Sequence, residues 1–226
     1  MKIKCHTVVS PSHRNMLENY MLPSFPNNPN MEMNIKYIPQ LCPTGIFYEK
    51  GWHDTMQQKV DCFIEGIASL KDNELFMFID NDIVIYKDFY DDILKEIEGF
   101  DIVFQDDVGG GCNTGFFIAR NNQNVRNLML ATKMYLDKFD SEQVAITEYC
   151  FNNKKYLELK DLKWKLLPVE KYWTYGVYKK TWDGKEQFAV PKDIFIHHAN
   201  WCVYKDKIPM MEYVQEKLGP IITKHG

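Results

Sequence analysis

The chain alternates between short apolar runs and segments whose apolar residues recur at helical spacing. The run LFMFI, residues 75–79, contains no polar residue, which is typical of a central strand covered on both faces. The segment before it, from Asp54, predicts an amphipathic helix through six apolar residues at helical spacing: Met56, Val60, Phe63, Ile64, Ile67 and Leu70. A helix that leads into a buried strand is the first indication of an α/β fold.

The same reading extends along the chain. Further strands are predicted at IKCHTVV (3–9), EMNIKYI (32–38), DIVFQ (101–105), TGFFIA (114–119), KWKLLP (163–168) and DIFIHH (193–198). Helices are predicted from Ser10-Pro11 to a point before Pro23, after Asp88, over 123–139 and near 209–218. This alternation predicts a single α/β domain with a mostly parallel central sheet and helices on both faces.

Composition adds limits to this picture. The chain has 226 residues, of which 45% are hydrophobic, enough to bury the core of one domain. Its formal net charge of −4 does not indicate a nucleic-acid partner. Because the N-terminal apolar stretch is too short for a signal peptide and no 18-residue apolar run occurs, we expect a soluble, cytoplasmic protein without a membrane span. The six scattered cysteines, with no CxxC, are expected to be reduced.

Two aspartates, Asp80 and Asp82, directly follow LFMFI with Asn81 between them. In open α/β sheets, ligands bind beyond the carboxyl ends of the strands. Carboxylates beside an apolar strand are costly unless they are paired or bind a cation. Hard oxygen ligands favour Mg²⁺ or Mn²⁺, which in turn hold phosphate oxygens. The pair therefore predicts a metal–diphosphate site, although two solvated aspartates in a strand-end turn would produce the same pattern.

A glycine-rich stretch, GGGCNTG (109–115), is the second candidate for binding. Its glycines allow the backbone to approach a ligand closely, and the Asn113 amide can both donate to and accept from sugar hydroxyls. Asp106 and Asp107 lie just upstream and are candidates to bind hydroxyls or to face solvent. The alternative is a plain turn before a strand.

Two further segments supply polar groups. Ser141 can cap a helix whose first turn carries Glu142 and Gln143, which could project toward the site. His197 and His198 follow an apolar strand, and because neighbouring residues of a strand face opposite sides, one of them can be a metal ligand while the other is structural.

The last third of the chain supplies two further kinds of candidate: lysines that could bind a diphosphate and aromatic rings that could bind a sugar. Lys205 or Lys207 could neutralise a diphosphate as it departs. The aromatic segment 171–184 and the later Trp201 offer ring faces on which sugars can stack, and Trp173, Tyr175 and Trp201 are the candidates to contact an acceptor sugar. Core packing is the alternative for each ring.

The order of these motifs resembles that of the metal-dependent A-fold glycosyltransferases (GT-A, Rossmann-like) of the nucleotide-diphospho-sugar transferase superfamily. The resembling pieces are HTVVS (6–10), FIDNDIVI (78–85), CNTGFFIAR (112–120), SEQ (141–143) and HHANW (197–201) with the lysines after it. They extend over most of the chain. The resemblance implies one GT-A domain over 1–226, with a nucleotide-binding half (1–105) and a half for the donor sugar and the acceptor (106–226).

The resemblance also implies roles for individual residues. The donor would be bound by Thr7, Val8, Asp80, Asn81, Asn113, Gly115, Gln143, Lys205 and Lys207, with Thr7 and Val8 near the base. The metal, Mn²⁺ or Mg²⁺, would be held by Asp80, Asp82 and His198, with His197 in reserve. Glu142 and Gln143 would match an Asp-Gln pair of many relatives, and the glutamate departs from that pattern.

The predicted function is therefore transfer of a sugar from a nucleotide-diphospho-sugar, a UDP-sugar by default, to a hydroxyl of a glycan or another acceptor. If the configuration is inverted, a carboxylate must take the acceptor proton, and Glu142, Asp106 and Asp107 are the candidates. If the configuration is retained, the leaving phosphate can serve instead.

Three other classes fit less well. A haloacid-dehalogenase type of phosphotransferase places its D-x-D after the first strand, whereas a whole βαβα segment precedes Asp80 here. A sugar-nucleotidyltransferase usually carries a glycine-rich basic loop after the first strand, where this chain has SPSHRN (10–15). A non-catalytic carbohydrate-binding protein would not need D-x-D and histidine together.

Overall fold

The structure is a computed structural model, and it describes residues 1–44, 46, 48–107, 109–139, 141–174 and 180–219. The strands in these residues are β1 (Ile3–Val9), β2 (Met31–Tyr37), β3 (Leu75–Ile79), β4 (Ile83–Ile85), β5 (Ile102–Asp107), β6 (Gly111–Arg120), β7 (Trp164–Leu166), β8 (Tyr172–Thr174) and β9 (Ile196–His198). The α-helices are α1 (Arg14–Met16), α2 (Leu22–Ser24), α3 (Trp52–Ala68), α4 (Tyr90–Glu96), α5 (Gln123–Tyr135), α6 (Glu142–Phe151) and α7 (Tyr204–Leu218).

The main sheet has six strands in the order β2-β1-β3-β6-β5-β7. β1 is parallel to both β2 and β3, and β5 is parallel to β7, whereas β6 is antiparallel to both of its neighbours. All strands except β6 therefore run in one direction. The prediction of a mostly parallel central sheet is confirmed.

Helices cover both faces of this sheet, as the unbroken apolar run of β3 predicted. Phe76 and Phe78 point to the face covered by α3, α5 and α6, where Phe63 of α3 packs edge-on against Phe78 with ring centroids 4.7 Å apart. Leu75, Met77 and Ile79 point to the opposite face, where they pack with residues of α4 and of the first helical segment. A strand buried on both faces needs apolar residues at every position.

A second sheet of three strands, β4-β9-β8, was not predicted. β9 pairs antiparallel with β4 and parallel with β8, and Ile83 lies opposite His198 in the ladder. Each of these strands has three residues, too few to show a period in the sequence. This small sheet brings a segment from near the C-terminus beside the turn that follows β3.

The helical segment after β1 differs from the prediction at both ends. Ser10 makes no side-chain capping bond, and its Oγ lies 3.2 Å from His13 Nδ1 instead. The segment also does not end before Pro23, because a π-helical turn (Leu17–Met21) leads into α2. Pro23 lies at the start of α2, where a missing N–H costs little.

Candidate functional site

The turn between the two sheets places the acidic pair beside a histidine. β3 ends at Ile79 and β4 begins at Ile83, so Asp80 and Asp82 lie at the carboxyl edge of the main sheet. β9 runs beside β4 and ends at His198. One ligand atom from each of Asp80, Asp82 and His198 lies within 4.8 Å of the other two. The nearest pair is His198 Nε2 and Asp82 Oδ1, 3.2 Å apart.

Hydrogen bonds from β5 orient the imidazole. The Gln105 amide donates from Nε2 to the carbonyl oxygen of Tyr172 at 3.1 Å, which leaves its Oε1 as an acceptor. This Oε1 lies 2.8 Å from His198 Nδ1. Because Oε1 can only accept, we place the proton of the neutral ring on Nδ1. In this neutral ring, Nε2 directs a lone pair toward Asp82. A histidine that binds a metal has the same arrangement, with one nitrogen free for the metal and the other held by a hydrogen bond, here to Gln105.

Two buried lysines contact the acidic pair. Lys207 of α7 contacts Asp82 Oδ2 and donates to the carbonyl oxygen of Ala199 at 3.1 Å. Burial alone would raise the pKa of Asp82, but the Lys207 ammonium, together with His198 when its ring is protonated, holds that pKa well below its usual range. Lys59 of α3 lies 3.0 Å from Asp80 Oδ2 and links it to the carboxylate of α6 described next. Positive groups thus face both aspartates.

The start of α6 supplies a third carboxylate. Ser141 caps the helix, as predicted, by accepting the N–H of Val144 at 3.2 Å. Glu142 Oε1 accepts Thr114 Oγ1 at 2.8 Å and lies 3.2 Å from Lys59 Nζ. Its Oε2 is buried and has no hydrogen-bond partner among the described residues. One oxygen of this carboxylate is therefore fixed and the other is free.

A glycine on β6 makes room for the acidic pair and the histidine. A Cβ added to Gly115 would lie 2.4 Å from His198 Cε1 and 2.5 Å from Asp80 Oδ2, distances that real Cβ atoms do not show. The Gly115 carbonyl also accepts the N–H of Asp80 at 2.7 Å. Gly115 was predicted to line the donor-sugar pocket; in the described structure it lies behind Asp80 and His198 instead.

One cleft of about 480 Å³, within the size range of small-molecule sites, is bordered by the acidic pair, Glu142, His198 and the two buried lysines. The predicted residues that line it are Val8, Asp80, Asn81, Asp82, Asp107, Asn113, Glu142, Gln143, His198, Trp201 and Lys207. Thr7 is buried just below, where its hydroxyl donates to Asn81 Oδ1 at 3.0 Å, while Asn81 Nδ2 donates to the Val8 carbonyl at 2.7 Å. Thr7 therefore orients Asn81 instead of facing the cleft.

The roles predicted for several residues do not match their positions in the structure. Trp173 is 6% exposed and packs against His197 and Phe188, so its ring offers no face to an acceptor sugar. Lys205 is exposed on α7, away from the cleft lining that the structure describes, and Lys207 is the lysine at the site. Asp106 and Asp107 are neighbours on β5, and neighbouring side chains of a strand face opposite sides. Among the described residues, Asp107 lines the cleft and Asp106 does not. Tyr175 lies outside the described residues.

The reserve histidine, His197, is a core residue. It is fully buried, and burial lowers its pKa to about 3. Neither ring nitrogen has a hydrogen-bond partner within the described residues. The alternation of β9 therefore decides between the two histidines, and His198 is the one that faces the acidic pair.

Three polar residues of the site were missed from the sequence. Lys59 lies three residues after Met56 and four before Phe63, on the apolar face of α3, and a lysine in that register is a signal that could have been used. Gln105 ends a predicted apolar strand without any pattern that marks it. His13 lines the cleft, and its pKa is lowered by burial and by the nearby Lys207.

Comparisons with known proteins identify the family and the fold. The sequence matches the model of the nucleotide-diphospho-sugar transferase family over residues 30–211, and the chain belongs to this family. No curated protein sequence matches the chain. No helix within the described residues is both long and apolar enough to cross a bilayer.

Solved structures show the same fold at low sequence identity. A glycosyltransferase involved in glycosylation of the major capsid of PBCV-1 superposes with a TM-score of 0.57 at 12% identity, covering 94% of this chain and 99% of that one. Mouse xyloside xylosyltransferase 1 superposes with a TM-score of 0.53 at 9% identity, covering 88% and 98%. The glycosyltransferase GlyE of Streptococcus pneumoniae TIGR4 has a TM-score of 0.49 at 11% identity, and the match covers 75% of this chain but only 46% of that one. The fold is that of the GT-A glycosyltransferases.

Proposed function

We propose that the chain transfers a sugar from a nucleoside-diphosphate sugar, with a UDP-sugar as the default donor, to a hydroxyl of a glycan or another acceptor. The observation that carries this proposal is the convergence of Asp80, Asp82 and His198, with ligand atoms within 4.8 Å, on the wall of a cleft. Membership of the nucleotide-diphospho-sugar transferase family supports the donor class. UDP is the commonest donor nucleotide of the superfamily that the sequence resembles.

The three residues fit a divalent cation, Mn²⁺ or Mg²⁺. Two carboxylates and one neutral imidazole are a donor set that such ions accept. When the His198 ring is neutral, Asp82 Oδ1 and His198 Nε2 are both acceptors 3.2 Å apart, and a cation between them would be held by both. Gly115 keeps a side chain out of this space. When bound, the ion supplies a Lewis acid that stabilises the negative charge of the departing diphosphate.

The chain's own residues bind and orient the donor. Lys207 carries a buried positive charge beside Asp82 and offsets the charge of the diphosphate. Val8 and Asn81, joined by a hydrogen bond, form the edge of the cleft that we assign to the nucleoside. Asn113 and Gln143 also line the cleft, and we assign their amides to the donor sugar.

Glu142 is the carboxylate that we propose to face the reacting sugars. Thr114 and Lys59 hold its Oε1, so its Oε2 is presented in a fixed position. In an inverting transfer this oxygen would take the proton of the acceptor hydroxyl. In a retaining transfer it would bind a hydroxyl of the donor sugar, and the leaving phosphate would take the proton.

The test is a panel of UDP- and GDP-sugars incubated with the protein, with and without Mn²⁺. Metal-dependent release of nucleoside diphosphate supports the proposal. Exchange of pyrophosphate into the nucleotide-sugar would instead support a sugar-nucleotidyltransferase. Glycan binding without either reaction would support a carbohydrate-binding protein.

The variant Asp82→Ala tests the assignment of the metal site. Because the change removes a proposed ligand, we expect Mn²⁺ affinity to fall by more than the 10–100-fold that the loss of an outer-shell partner costs, and turnover to fall with it. Calorimetric titration of Mn²⁺ measures the first effect and release of nucleoside diphosphate the second. The control is Asp91→Ala, which removes an exposed carboxylate of α4. Turnover at the wild-type level in Asp82→Ala would remove the metal assignment.

A further inference from the structure

The carboxylate of Asp107, at the end of β5, receives N–H groups from three other parts of the chain. Its Oδ1 accepts Trp201 Nε1 at 2.8 Å, Asn200 Nδ2 at 3.2 Å and Asn113 Nδ2 at 3.4 Å. Its Oδ2 accepts Gln143 Nε2 at 2.9 Å. Asp107 therefore connects β5 with β6, with α6 and with the segment that follows β9.

That segment, residues 199–201, directly follows His198 and is fastened at its first residue. The Ala199 N–H donates to the carbonyl oxygen of Asp82 at 2.9 Å, and the Ala199 carbonyl accepts Lys207 Nζ at 3.1 Å. At its other end Trp201 has a φ of +55°, in the left-handed region that a bulky side chain rarely adopts. Such a conformation persists only where surrounding contacts impose it, and the bond from the indole to Asp107 is one of them.

The bonding of Asp107 differs from that of Glu142. A general base needs a lone pair that is free to take a proton from the substrate. Three donors occupy Oδ1 of Asp107 and Gln143 occupies Oδ2, whereas Glu142 has one oxygen without a partner among the described residues. Asp107 and Glu142 are therefore suited to different roles.

We propose that Asp107 is a positioning residue that holds Asn200 and the Trp201 ring as the acceptor-side wall of the cleft, and that it is not the base of the reaction. The inference rests on the proposed function, because the wall is assigned to a carbohydrate acceptor. The indole is partly exposed and lines the cleft, so a sugar can stack on its face. Loss of Asp107 then weakens recognition of the acceptor more than the chemical step.

Three variants separate positioning from proton transfer. Asp107→Ala removes all four hydrogen bonds to the carboxylate, Trp201→Phe removes the indole N–H and part of the ring face, and Asp107→Asn keeps an oxygen for Trp201. We expect Asp107→Ala and Trp201→Phe each to raise the acceptor KM by about tenfold, as for loss of a hydrogen bond to a charged group, with kcat much less affected. The effect of the double variant should fall well short of the sum of the two single effects, because both changes remove the same contact.

The pH profile distinguishes the two roles. If Asp107 positions the wall, the pH profile of kcat/KM keeps its wild-type shape in Asp107→Asn. If Asp107 is the base, Asp107→Asn lowers kcat by about 100-fold or more and removes the limb of the profile that reports the base, which would overturn the proposal. Additive effects of Asp107→Ala and Trp201→Phe would overturn it as well.

One readout needs no turnover. The indole N–H resonance of Trp201 is assigned in a ¹H–¹⁵N spectrum of the whole chain by its loss in Trp201→Phe. We expect this resonance to shift in Asp107→Ala and to stay in place in the surface control Asp91→Ala. An unshifted resonance in Asp107→Ala would contradict the contact itself. If it shifts while every nucleotide-sugar is left intact, the proposed function fails and the contact stands.

Discussion

Gly115 shows how much a single residue position decides at this site. β6 passes directly behind Asp80 and His198, and any side chain at this position would occupy the space of their ligand atoms. The neighbouring residues cannot move aside cheaply, because His198 is held by Gln105 and Asp80 by the β6 backbone and Lys59. The requirement for glycine therefore arises from crowding and not from backbone conformation.

We expect Gly115→Ala to displace His198 and Asp80, and so to weaken Mn²⁺ binding by about tenfold or more while the protein remains folded. Titration of Mn²⁺ with detection of the free ion by electron paramagnetic resonance measures the effect. Gly111→Ala is a matched control on the same strand, because a Cβ there would meet its nearest atoms at an ordinary 3.6 Å. Equal Mn²⁺ affinity in the two variants would show that the ion does not bind at Asp80 and His198.

Single residues also show where the sequence was misleading. Aromatic side chains were assigned to the acceptor from their composition alone, yet Trp173 is core and Trp201 lines the cleft. The sequence does not distinguish the two rings. Only the pairing of β8 with β9 buries Trp173 against His197 and Phe188. Lys59 was not predicted, although it lies three residues after Met56 and four before Phe63, in register with the apolar face of α3.

At the scale of elements, α3 packs closely on the main sheet and carries residues that line the cleft. α3 carries Lys59 into the site, and it approaches the sheet closely at Gly66. A Cβ there would lie 2.3 Å from Phe76 Cε2 and 3.2 Å from His6 Cε1. The two rings are stacked with centroids 4.9 Å apart, so the surface under the helix is rigid.

We expect Gly66→Ala to destabilise the protein by up to about 2 kcal/mol. Alanine gains about 1 kcal/mol of helix propensity over glycine, but overpacking of a core contact costs about 1–3 kcal/mol. Urea unfolding followed by circular dichroism gives the difference in free energy of unfolding. The exposed Gln57→Ala on the same helix should change it by less than about 0.5 kcal/mol. A stabilising Gly66→Ala would contradict the close approach of α3.

Elements differed in how well the sequence predicted them. β3 matches its predicted bounds, because a strand buried on both faces has an unbroken apolar pattern. The first helical segment was predicted to end before Pro23. It continues to Ser24, because a π-helical turn (Leu17–Met21) leads directly into α2, which contains the proline. The small sheet was missed entirely, because three-residue strands owe their pairing to partners far along the chain.

At the scale of the whole molecule, the two predicted halves are interlocked. β6, from the half assigned to the donor sugar and acceptor, lies between β3 and β5 of the half assigned to the nucleotide. Every residue of β3, from Leu75 to Ile79, pairs with β6. The metal candidates are divided in the same way, with the aspartates in one half and His198 in the other.

We therefore expect the fragment 1–105 not to fold on its own. Without β6, the strand β3 loses its partner along one whole edge and exposes an apolar edge strand, which favours aggregation. Far-UV circular dichroism and thermal unfolding of the fragment, measured beside the full chain, test this. A cooperative unfolding transition of the isolated fragment would show that 1–105 is an independent domain.

The sequence by itself determined the fold class, the position of β3 and the acidic pair, and the order of motifs that indicates a nucleotide-sugar transferase. These features are local, because the period of apolar residues and a short motif can be read from neighbours in the chain. The tertiary structure alone decided which histidine meets Asp82, which lysine reaches it, and that Asp107 has both oxygens hydrogen-bonded while Glu142 keeps one without a partner among the described residues. Those choices depend on strand pairing and helix packing between residues more than 100 positions apart, as for Asp82 and His198, and no local pattern records them.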